Sequence, residues 1–357
     1  MLNILVMGAG AIGCFVGGHL ARGGHRVTLV GRPPLMRKVA AAGLTLAWPG
    51  QPAQTAQPTA VTQLAEATAP FDYILLTVKA PATASVIAEF QQHLPLLEQA
   101  YIVSLQNGIG NEEALAAAFG PAKIIAGTIT IPIQVPEPGV IEVSKAKGGL
   151  GLAPLQPGQP VERLATALNA AGLTTETYAD YRAMKWSKLL LNIVTNASSA
   201  ILDLPPAQIV TDSALFDLEI RALREGVAVM QALGIPAVKL PGYPVDWLAR
   251  LLRAKWLPAA FSRALLRPSM QSGRGSKMPS LHLDLAGGRS DSEIEALNGA
   301  IVRAGQEAGL SSPVNQTLSQ ILMDLFAKRA EWGEFRQQPQ RLIEAIEARL
   351  NAPNQPF

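Results

Sequence analysis

Short apolar segments alternate with segments of helical pattern through the first half of the chain. The apolar segments have the length of β-strands and comprise residues 2–7, 26–30, 73–78, 101–105 and 123–130. The segments of helical pattern comprise residues 8–23, 82–94 and 112–119. Strands that are apolar throughout and alternate with helices indicate a parallel sheet covered on both faces. We therefore predict an α/β domain for this half of the chain.

Two further segments of this half have a different character. Residues 44–47 predict a small additional strand. Residues 51–62 are rich in Pro, Gln, Ala and Thr, which predicts a surface loop. Neither segment changes the predicted α/β class.

The pattern changes near residue 180, after which long helical segments follow with few β segments. We place a domain boundary there, with an α/β domain over residues 1–180 and a mostly α-helical domain over residues 181–350. Residues 351–357 contain two prolines and predict a frayed tail.

The first 21 residues contain no Asp, Glu, Lys or Arg, so a hydropathy scan alone would favour a membrane span. A signal peptide requires positive charge before its apolar segment, and none is present. Five glycines interrupt the stretch, which indicates a buried strand that turns into a helix. We expect no membrane association from this segment.

A glycine pattern lies at that turn from strand to helix. Residues 8–13 fit G-x-G-x-x-G, follow the first strand, open a helix and lead into a second strand. In this context the pattern is typical of dinucleotide binding, because the helix offers free N–H groups to a pyrophosphate. The predicted cofactor-binding residues are Gly8, Ala9, Gly10, Ala11, Ile12 and Gly13. The fold class is thus α/β, with an N-terminal Rossmann-type domain followed by a mostly α-helical domain.

The end of the second strand indicates which dinucleotide is bound. NAD-specific sites usually place Asp or Glu there, whereas this chain has Gly31 and Arg32. An arginine can form charge-assisted hydrogen bonds with a 2′-phosphate, which an acid would repel. We therefore predict NADP(H); the alternative is that Arg32 is a solvated surface residue.

Two further residues follow predicted strands and are expected at the ligand-binding edge of the sheet. Lys79 follows the strand at 73–78, and Asn107 follows the strand at 101–105. Ligands of open α/β sheets lie beyond the carboxyl ends of the strands. Both residues are candidates to contact the cofactor; the alternatives are an exposed lysine and an Asn-Gly turn.

One predicted helix, residues 185–196, carries a candidate for catalysis. Lys188, Asn192 and Asn196 lie at i, i+4 and i+8 and would share one helix face. Hydride delivery to a ketone builds negative charge on oxygen, which a protonated lysine can stabilise and then neutralise by donating its proton. Lys185 is the competing candidate, but it lies on another face, so we prefer Lys188.

Composition narrows the class of protein further. Hydrophobic residues make up 48% and charged residues 16% of the 357 residues, which excludes a disordered chain. A net charge of only +3 does not suggest nucleic-acid binding. A single cysteine, Cys14, excludes an intrachain disulfide and a multi-cysteine zinc site, and we expect no metal centre. The composition fits a reduced, cytoplasmic setting.

With these motifs in place, the chain resembles the ketopantoate reductase (2-dehydropantoate 2-reductase) family. The motifs that carry the resemblance are residues 8–13 with Arg32, residues 78–80, residues 106–108, residues 186–189 with Asn192 and Asn196, residues 280–284 and residues 292–299. They are separate, occur in the family's order and span most of the chain.

The resemblance implies a role for each matched residue. Lys188 would be the general acid, and Glu293 would hold the substrate or the cofactor ribose near the reacting centre. Asn192 and Asn196 would bind the hydroxyl end of the substrate, and Ser280 would bind its carboxylate. From the sequence alone Glu293 would be a solvated acid at a helix start, and Ser280 an N-cap residue. Asn107 would contact both nicotinamide and substrate.

The chain also departs from the family pattern. Residues 290–293 are one residue longer than the family's corresponding segment, and Pro206 stands near a further substrate-binding asparagine of some members. A long basic segment, residues 246–277, has no acid after Asp246. It is interpreted as a solvated helix pair or a homodimer surface, with a membrane-docking element as the alternative.

The resemblance implies reduction of the ketone of a small 2-oxo acid by NADPH, with 2-ketopantoate as the leading substrate and pantoate as its product. This reaction belongs to pantothenate and coenzyme A biosynthesis. Two alternatives stay open. A paralogue would reduce another 2-oxo acid or ketone, and a non-catalytic NADP-binding sensor would bind the cofactor without turnover.

Overall fold

The computed structural model describes residues 1–68, 70–254, 267 and 277–351, which form two compact units. Unit 1 comprises Met1–Lys185 together with Lys239–Tyr243. Unit 2 comprises Trp186–Val238 and the described residues from Pro244 onward. The basic segment 246–277 is described only at 246–254, 267 and 277, and the predicted tail lies outside the described residues apart from Asn351.

Unit 1 contains twelve strands in two sheets among its described residues. They are β1 Asn3–Met7, β2 Arg26–Val30, β3 Leu44–Ala47, β4 Gln54–Ala56, β5 Thr59–Val61, β6 Tyr73–Leu76, β7 Tyr101–Ser104, β8 Ile124–Ile129, β9 Ile133–Gln134, β10 Val140–Val143, β11 Leu150–Pro154 and β12 Thr175–Thr177. The larger sheet has the order β12-β11-β8-β7-β6-β1-β2-β5. The smaller sheet has the order β4-β3-β10-β9.

The described α-helices alternate with the strands in unit 1 and dominate unit 2. They are α1 Ala11–Arg22, α2 Pro33–Ala42, α3 Thr83–Gln91, α4 Asn111–Phe119, α5 Val161–Ala170, α6 Tyr181–Ile193, α7 Asn196–Leu202, α8 Pro206–Thr211, α9 Ser213–Ala232, α10 Val245–Arg253, α11 Ser280–Ala286, α12 Asn298–Glu307, α13 Pro313–Phe326 and α14 Pro339–Asn351. No helix among the described residues is long and apolar enough to cross a bilayer.

The large sheet is covered on both faces because its strands are apolar on both faces. In β1, Ile4 and Val6 belong to one hydrophobic core, which α1 and α5 complete. Leu5 and Met7 belong to a second core, which α3 and α4 complete. The predicted fold class, an α/β domain followed by a helical domain, is confirmed.

The sheet differs from the prediction in one pairing. Strands β5, β2, β1, β6, β7 and β8 run parallel, but β11 pairs with β8 in the antiparallel direction. The connection between them runs through the small sheet instead of a crossover helix, so the chain returns in the opposite sense. The sheet is therefore mixed at that edge.

The prediction of a surface loop over residues 51–62 was wrong. This segment contains β4, which pairs with the predicted small strand β3, and β5, which forms one edge of the large sheet. Each of these strands has only three residues, too few to show an alternating pattern against the surrounding Pro and Gln. The local composition therefore did not indicate the pairing of β4 with β3 or of β5 with β2.

Unit 2 is arranged around α9, the longest described helix. Eleven of its residues are buried, and it contacts α8, α10, α12, α13 and α14. The Glu225 carboxylate on α9 accepts hydrogen bonds from the N–H groups of Val314 and Asn315 at the start of α13. Burial raises the pKa of Glu225, and these hydrogen bonds oppose that shift. Helices α9 and α13 are thus joined by hydrogen bonds of the Glu225 carboxylate as well as by apolar packing.

A buried histidine in unit 1 makes its stability sensitive to pH. His19 on α1 is 3% exposed; its Nε2 accepts from the Trp48 indole, and its Nδ1 donates to the Ala171 carbonyl. The hydrogen bond from Trp48 requires an unprotonated Nε2, and burial lowers the pKa of His19 below its usual value. The unfolded chain therefore binds more protons as pH falls below about 6.5, and stability is lost on that side.

We expect the melting temperature of unit 1 to fall by roughly 2–4 °C between pH 7.5 and pH 5.5 because of this group. Calorimetry of the His19→Gln variant should show a smaller loss over the same range. Burial also lowers the pKa of His25, so the loss is reduced and not abolished. His93→Gln is the matched control, and an unchanged slope in His19→Gln would contradict the assignment.

Candidate active site

The carboxyl ends of four neighbouring parallel strands bring several predicted residues to one edge of the large sheet. Gly8 follows β1, Arg32 follows β2, Lys79 follows β6 and Asn107 follows β7. These strands are adjacent in the order β2-β1-β6-β7, and the strand order reverses beside β1. Open α/β sheets bind ligands at such a reversal. The structure thus places all four predicted residues at the same edge of the sheet within unit 1.

The glycine turn has the geometry that its sequence predicts. Gly8 has φ +109°, a conformation that favours glycine, and the Thr77 hydroxyl donates to its carbonyl over 2.6 Å. At Gly13 a β-carbon would lie 2.2 Å from the Gly8 carbonyl oxygen, so the helix and the turn approach as closely as glycine allows. These contacts fix the position at which α1 begins.

Gly10 differs from these two glycines because it faces open space. A β-carbon at Gly10 would meet no heavy atom of the described residues within 4 Å. Gly10 is also the N-cap of α1, where no side chain caps the helix, so its first N–H groups are not satisfied by a capping group. Ala9 is buried and Ile12 packs against the core, which leaves main chain at this surface. The turn therefore fits a pyrophosphate.

Arg32 is exposed and lies two residues beyond β2, as the N-cap of α2. Lys79 is partly buried and lies three residues beyond β6, which ends at Leu76 and not at residue 78 as predicted. Both cations thus lie on loops that follow the two strands flanking β1, the strand that leads into the glycine turn.

A buried polar network that the sequence did not predict supports the loop of Asn107. Gln106 Nε2 donates to the Thr83 hydroxyl over 2.8 Å, and this hydroxyl donates to Asn111 Oδ1 over 2.9 Å. Asn111 Nδ2 in turn donates to the Asn107 carbonyl over 3.0 Å. The only sequence signal for this network is a group of amide and hydroxyl residues around two strand ends.

Lys185, the competing candidate for the catalytic lysine, has its side chain buried among residues of unit 1. Its side chain is 3% exposed, and its Nζ lies 2.8 Å from Glu112 Oε1, whose side chain is 1% exposed. Nζ also donates to the Gln106 carbonyl over 2.6 Å. A buried lysine held by a carboxylate and a carbonyl cannot readily approach a substrate, which favours Lys188.

The predicted single helix over residues 185–196 was wrong at its end. Helix α6 stops at Ile193, Thr195 adopts φ +53°, and Asn196 begins a new helix, α7. Lys188 and Asn192 remain one turn apart on α6, where both are partly buried. Asn196 does not continue their face by helical periodicity. Threonine rarely adopts positive φ, so local propensity could not predict this break.

The break is held by a carboxylate from another helix. Glu219 on α9 is 3% exposed and accepts from the Thr195 N–H over 2.7 Å and from the Ser198 hydroxyl over 2.5 Å. It thus serves the start of α7 as a capping side chain would, because the first N–H groups of a helix lack partners. Tertiary contact here overrides helix propensity.

The break also places Asn196 against the segment that contains Ser280. Asn196 is buried, and its Oδ1 accepts from the Leu281 N–H over 3.4 Å. Ser280 is exposed and is the first residue of α11, and Pro279 is its N-cap. The interpretation of Ser280 as an N-cap was therefore wrong. The structure brings two predicted substrate-binding residues, Asn196 and Ser280, to one place in unit 2.

A second contact fixes α11. His282 Nε2 lies 2.6 Å from Asp203 Oδ1 at the end of α7, and Arg336 Nε donates to Asp203 Oδ2 over 2.7 Å. Burial would raise the pKa of Asp203, but the hydrogen bonds from His282 and Arg336 outweigh it and hold this pKa below its usual value. This carboxylate therefore stays charged and joins α11 to α7.

Glu293 contradicts the interpretation as a solvated acid, because it is only 4% exposed. It begins a short 3-10 helix, Glu293–Glu295, and the preceding Ser292 hydroxyl accepts from the Ile294 N–H. Burial of a carboxylate costs free energy unless it is compensated, so such groups often occur at functional sites. The structure makes Glu293 a stronger candidate than its sequence position alone.

A doubly wound sheet with a glycine turn at its strand reversal, followed by a helical unit, is an architecture of dinucleotide-binding proteins. Residues 4–156 match the family model described as ketopantoate reductase PanE/ApbA, and residues 180–325 match the model of the C-terminal domain of this reductase. The chain belongs to the ketopantoate reductase family, as its motifs predict, and is an oxidoreductase like the 2-dehydropantoate 2-reductases.

Relatives of known name agree with this assignment. The 2-dehydropantoate 2-reductase of Pyrococcus horikoshii is 29% identical over 88% of this chain and 94% of its own length. A crystal structure of a PanE/ApbA family ketopantoate reductase from Ralstonia eutropha has 29% identity and a TM-score of 0.74, covering 92% of this chain and 99% of that one. These relatives, as their names state, reduce 2-dehydropantoate, a small keto acid.

A further solved structure shares the fold at lower identity. D-mandelate dehydrogenase, in a ternary structure with NADH and anilino(oxo)acetate, has 22% identity and a TM-score of 0.75, covering 92% of this chain and 99% of that one. At this identity the likeness concerns the fold. The same architecture is therefore found in an enzyme with another substrate.

Proposed function

We propose that this protein reduces the ketone of 2-ketopantoate to the alcohol of pantoate, with NADPH as the hydride donor. The observation that carries the proposal is that both halves of the chain match ketopantoate reductase models, over residues 4–156 and 180–325. Relatives named 2-dehydropantoate 2-reductase extend over nearly the same length. The reaction would supply pantoate for pantothenate and coenzyme A biosynthesis.

The preference for NADPH rests on the end of β2. Arg32 is exposed there, and no acid occupies the position at which NAD-specific sites usually bind the ribose hydroxyls. A guanidinium binds a phosphate through paired, charge-assisted hydrogen bonds. Residues of the glycine turn would bind the pyrophosphate, and Lys79 would add positive charge beside it.

The chain itself would contribute binding, orientation and a proton. NADPH supplies a hydride when it is bound. Lys188 would stabilise the negative charge that develops on the ketone oxygen and would donate the proton that completes the alcohol. Asn192 lies one turn farther along the same helix and would bind the substrate hydroxyl. Lys188 is partly buried, so its charge would act where water screens it less.

The remaining proposed roles fall on three residues of unit 2 and one of unit 1. Asn196 would bind the hydroxyl end of the substrate, and Ser280, on the segment that Asn196 contacts, would bind its carboxylate. Glu293 would position the substrate or the cofactor ribose. Asn107 in unit 1 would contact nicotinamide and substrate.

The experiment is an initial-rate assay of NADPH oxidation with 2-ketopantoate, with pyruvate and benzoylformate as competing substrates. We expect kcat/KM at or above about 10⁴ M⁻¹s⁻¹ for 2-ketopantoate and values at least tenfold lower for the others. A higher value for another 2-oxo acid would replace the substrate and keep the reaction class. NADPH binding without turnover of any of them would favour the non-catalytic sensor.

The Arg32→Ala variant tests the cofactor preference. We expect the KM for NADPH to rise about 10–100-fold, because charge-assisted hydrogen bonds to the 2′-phosphate are lost. The KM for NADH should change less than about threefold. Arg37→Ala on the exposed side of α2 is the matched control and should leave both values unchanged. An equal loss for both cofactors would show that Arg32 does not bind the 2′-phosphate.

A further inference from the structure

The buried Lys185–Glu112 ion pair lies beside the loop that carries Asn107. Strands β7 and β8 pair as far as Ser104 and Ala126, and the Leu105 N–H still donates to the Leu76 carbonyl of β6, so Gln106 lies past these pairings. Carbonyl groups at this point need partners from elsewhere, because a buried carbonyl without a hydrogen bond costs free energy. Lys185 Nζ provides these partners: it lies 2.6 Å from the main-chain carbonyl oxygen of Gln106 and 3.4 Å from that of Gly127.

The same ammonium group forms an ion pair with Glu112. Its Nζ lies 2.8 Å from Glu112 Oε1, in the first turn of α4, and this contact is one of charge without hydrogen-bond geometry. A carboxylate near the start of a helix is also stabilised by the helix dipole. The ammonium group therefore joins the end of β7, strand β8 and helix α4 in one position.

Asn107 lies between two fixed carbonyl groups. The Gln106 carbonyl, which belongs to the peptide bond that precedes Asn107, accepts from Lys185. The Asn107 carbonyl, on its other side, accepts from Asn111 Nδ2. With both flanking peptide groups held, the main chain at Asn107 has little freedom, although Gly108 and Gly110 follow at positive φ.

We propose that Lys185 and Glu112 are positioning residues that hold the main chain at Gln106–Asn107 in the orientation needed for reaction. The inference rests on the function proposed above, because Asn107 enters the reaction only through it. An ion pair is suited to this task, since an apolar pair of equal volume could fill the space but could not bind the Gln106 carbonyl. Misplacement of a contacting group by about 1 Å can lower a rate by 10²-fold.

The test compares Lys185→Met with the double variant Lys185→Met/Glu112→Leu. The single variant leaves a buried carboxylate without its partner, so its melting temperature should fall by roughly 6–15 °C. The double variant replaces both charges by apolar groups, which commonly restores stability. We expect its melting temperature to return to within about 3 °C of the wild type.

The two variants should nevertheless agree in their kinetics. We expect kcat to be about 10–100-fold lower in both, with the KM for NADPH changed less than about threefold, since neither residue is in the glycine turn. Hydrogen exchange should be faster in peptides covering residues 104–110 of both variants. Tyr73→Phe, which removes a 2.8 Å hydrogen bond to the Pro160 carbonyl at the opposite edge of the sheet, is the control and should change neither kcat nor this exchange.

Recovery of both stability and kcat in the double variant would overturn the proposal, because the pair would then serve stability alone. Unchanged exchange over residues 104–110 would also overturn it. If the double variant stays unstable, faster exchange confined to 104–110 supports the proposal and faster exchange throughout unit 1 contradicts it. Failure of the wild type to reduce 2-ketopantoate would overturn only the proposed function, since the exchange measurement requires no substrate.

Discussion

Replacement of Lys188 by alanine is expected to lower kcat for NADPH-dependent reduction of 2-ketopantoate by about 10²–10⁴-fold. The ammonium group would stabilise charge on the ketone oxygen mainly in the transition state, so its loss affects kcat more than KM. The dissociation constant of NADPH, measured by fluorescence titration, should change less than about threefold. A large fall in kcat with little change in the dissociation constant of NADPH would show that Lys188 acts in catalysis and not in cofactor binding.

Arg182→Ala is the matched control for this variant. Arg182 is an exposed cation on the same helix, so its removal changes the net charge by the same amount. We expect its kcat to equal that of the wild type. A Lys188→Ala enzyme with unchanged kcat and a raised KM would show that Lys188 binds the substrate without donating its proton.

Alanine substitutions at two glycines of the same turn should have opposite consequences. In Gly13→Ala the new β-carbon would lie 2.2 Å from the Gly8 carbonyl oxygen and 2.6 Å from Thr77 Oγ1. Main-chain atoms can move away from the new carbon only at a cost in free energy. We therefore expect the free energy of unfolding to fall by about 1–3 kcal/mol or more. Calorimetry should show this loss as a melting temperature lowered by roughly 2–12 °C.

Gly10→Ala should instead preserve the fold and weaken cofactor binding. No heavy atom of the described chain lies within 4 Å of the added carbon, so the melting temperature should stay within about 2 °C of the wild type. The methyl group would occupy space that a pyrophosphate needs, and the dissociation constant of NADPH should rise at least about tenfold. Unchanged affinity in Gly10→Ala would place the pyrophosphate elsewhere.

The sequence predicts the parts of this structure that depend on local pattern. The large strands of unit 1 are continuous apolar segments, and the glycine turn follows from three glycines at fixed spacing. The clustering of candidate residues could also be predicted, because the carboxyl ends of parallel strands lie together. For this reason the sequence alone predicts Gly8, Arg32, Lys79 and Asn107 at the same edge of the sheet.

The features that the sequence could not predict depend on distant partners. The break after α6 depends on Glu219, which lies 24 residues beyond Thr195 and accepts its N–H, since threonine itself does not favour positive φ. The three-residue strands β4 and β5 form because longer strands offer them an edge. Lys185 and Glu112 are 73 positions apart, so no local pattern links them.

The separation between strands and loops in unit 1 has a consequence for how such genes diverge. Strand side chains fill two cores and tolerate little change in volume, whereas Arg32 and Lys79 lie on loops that follow the strands. If the proposed cofactor contacts are right, mutations that alter cofactor choice fall on codons other than those that preserve the fold. A duplicated copy would then change its cofactor through a few loop substitutions, while its interior drifts only among residues of similar size.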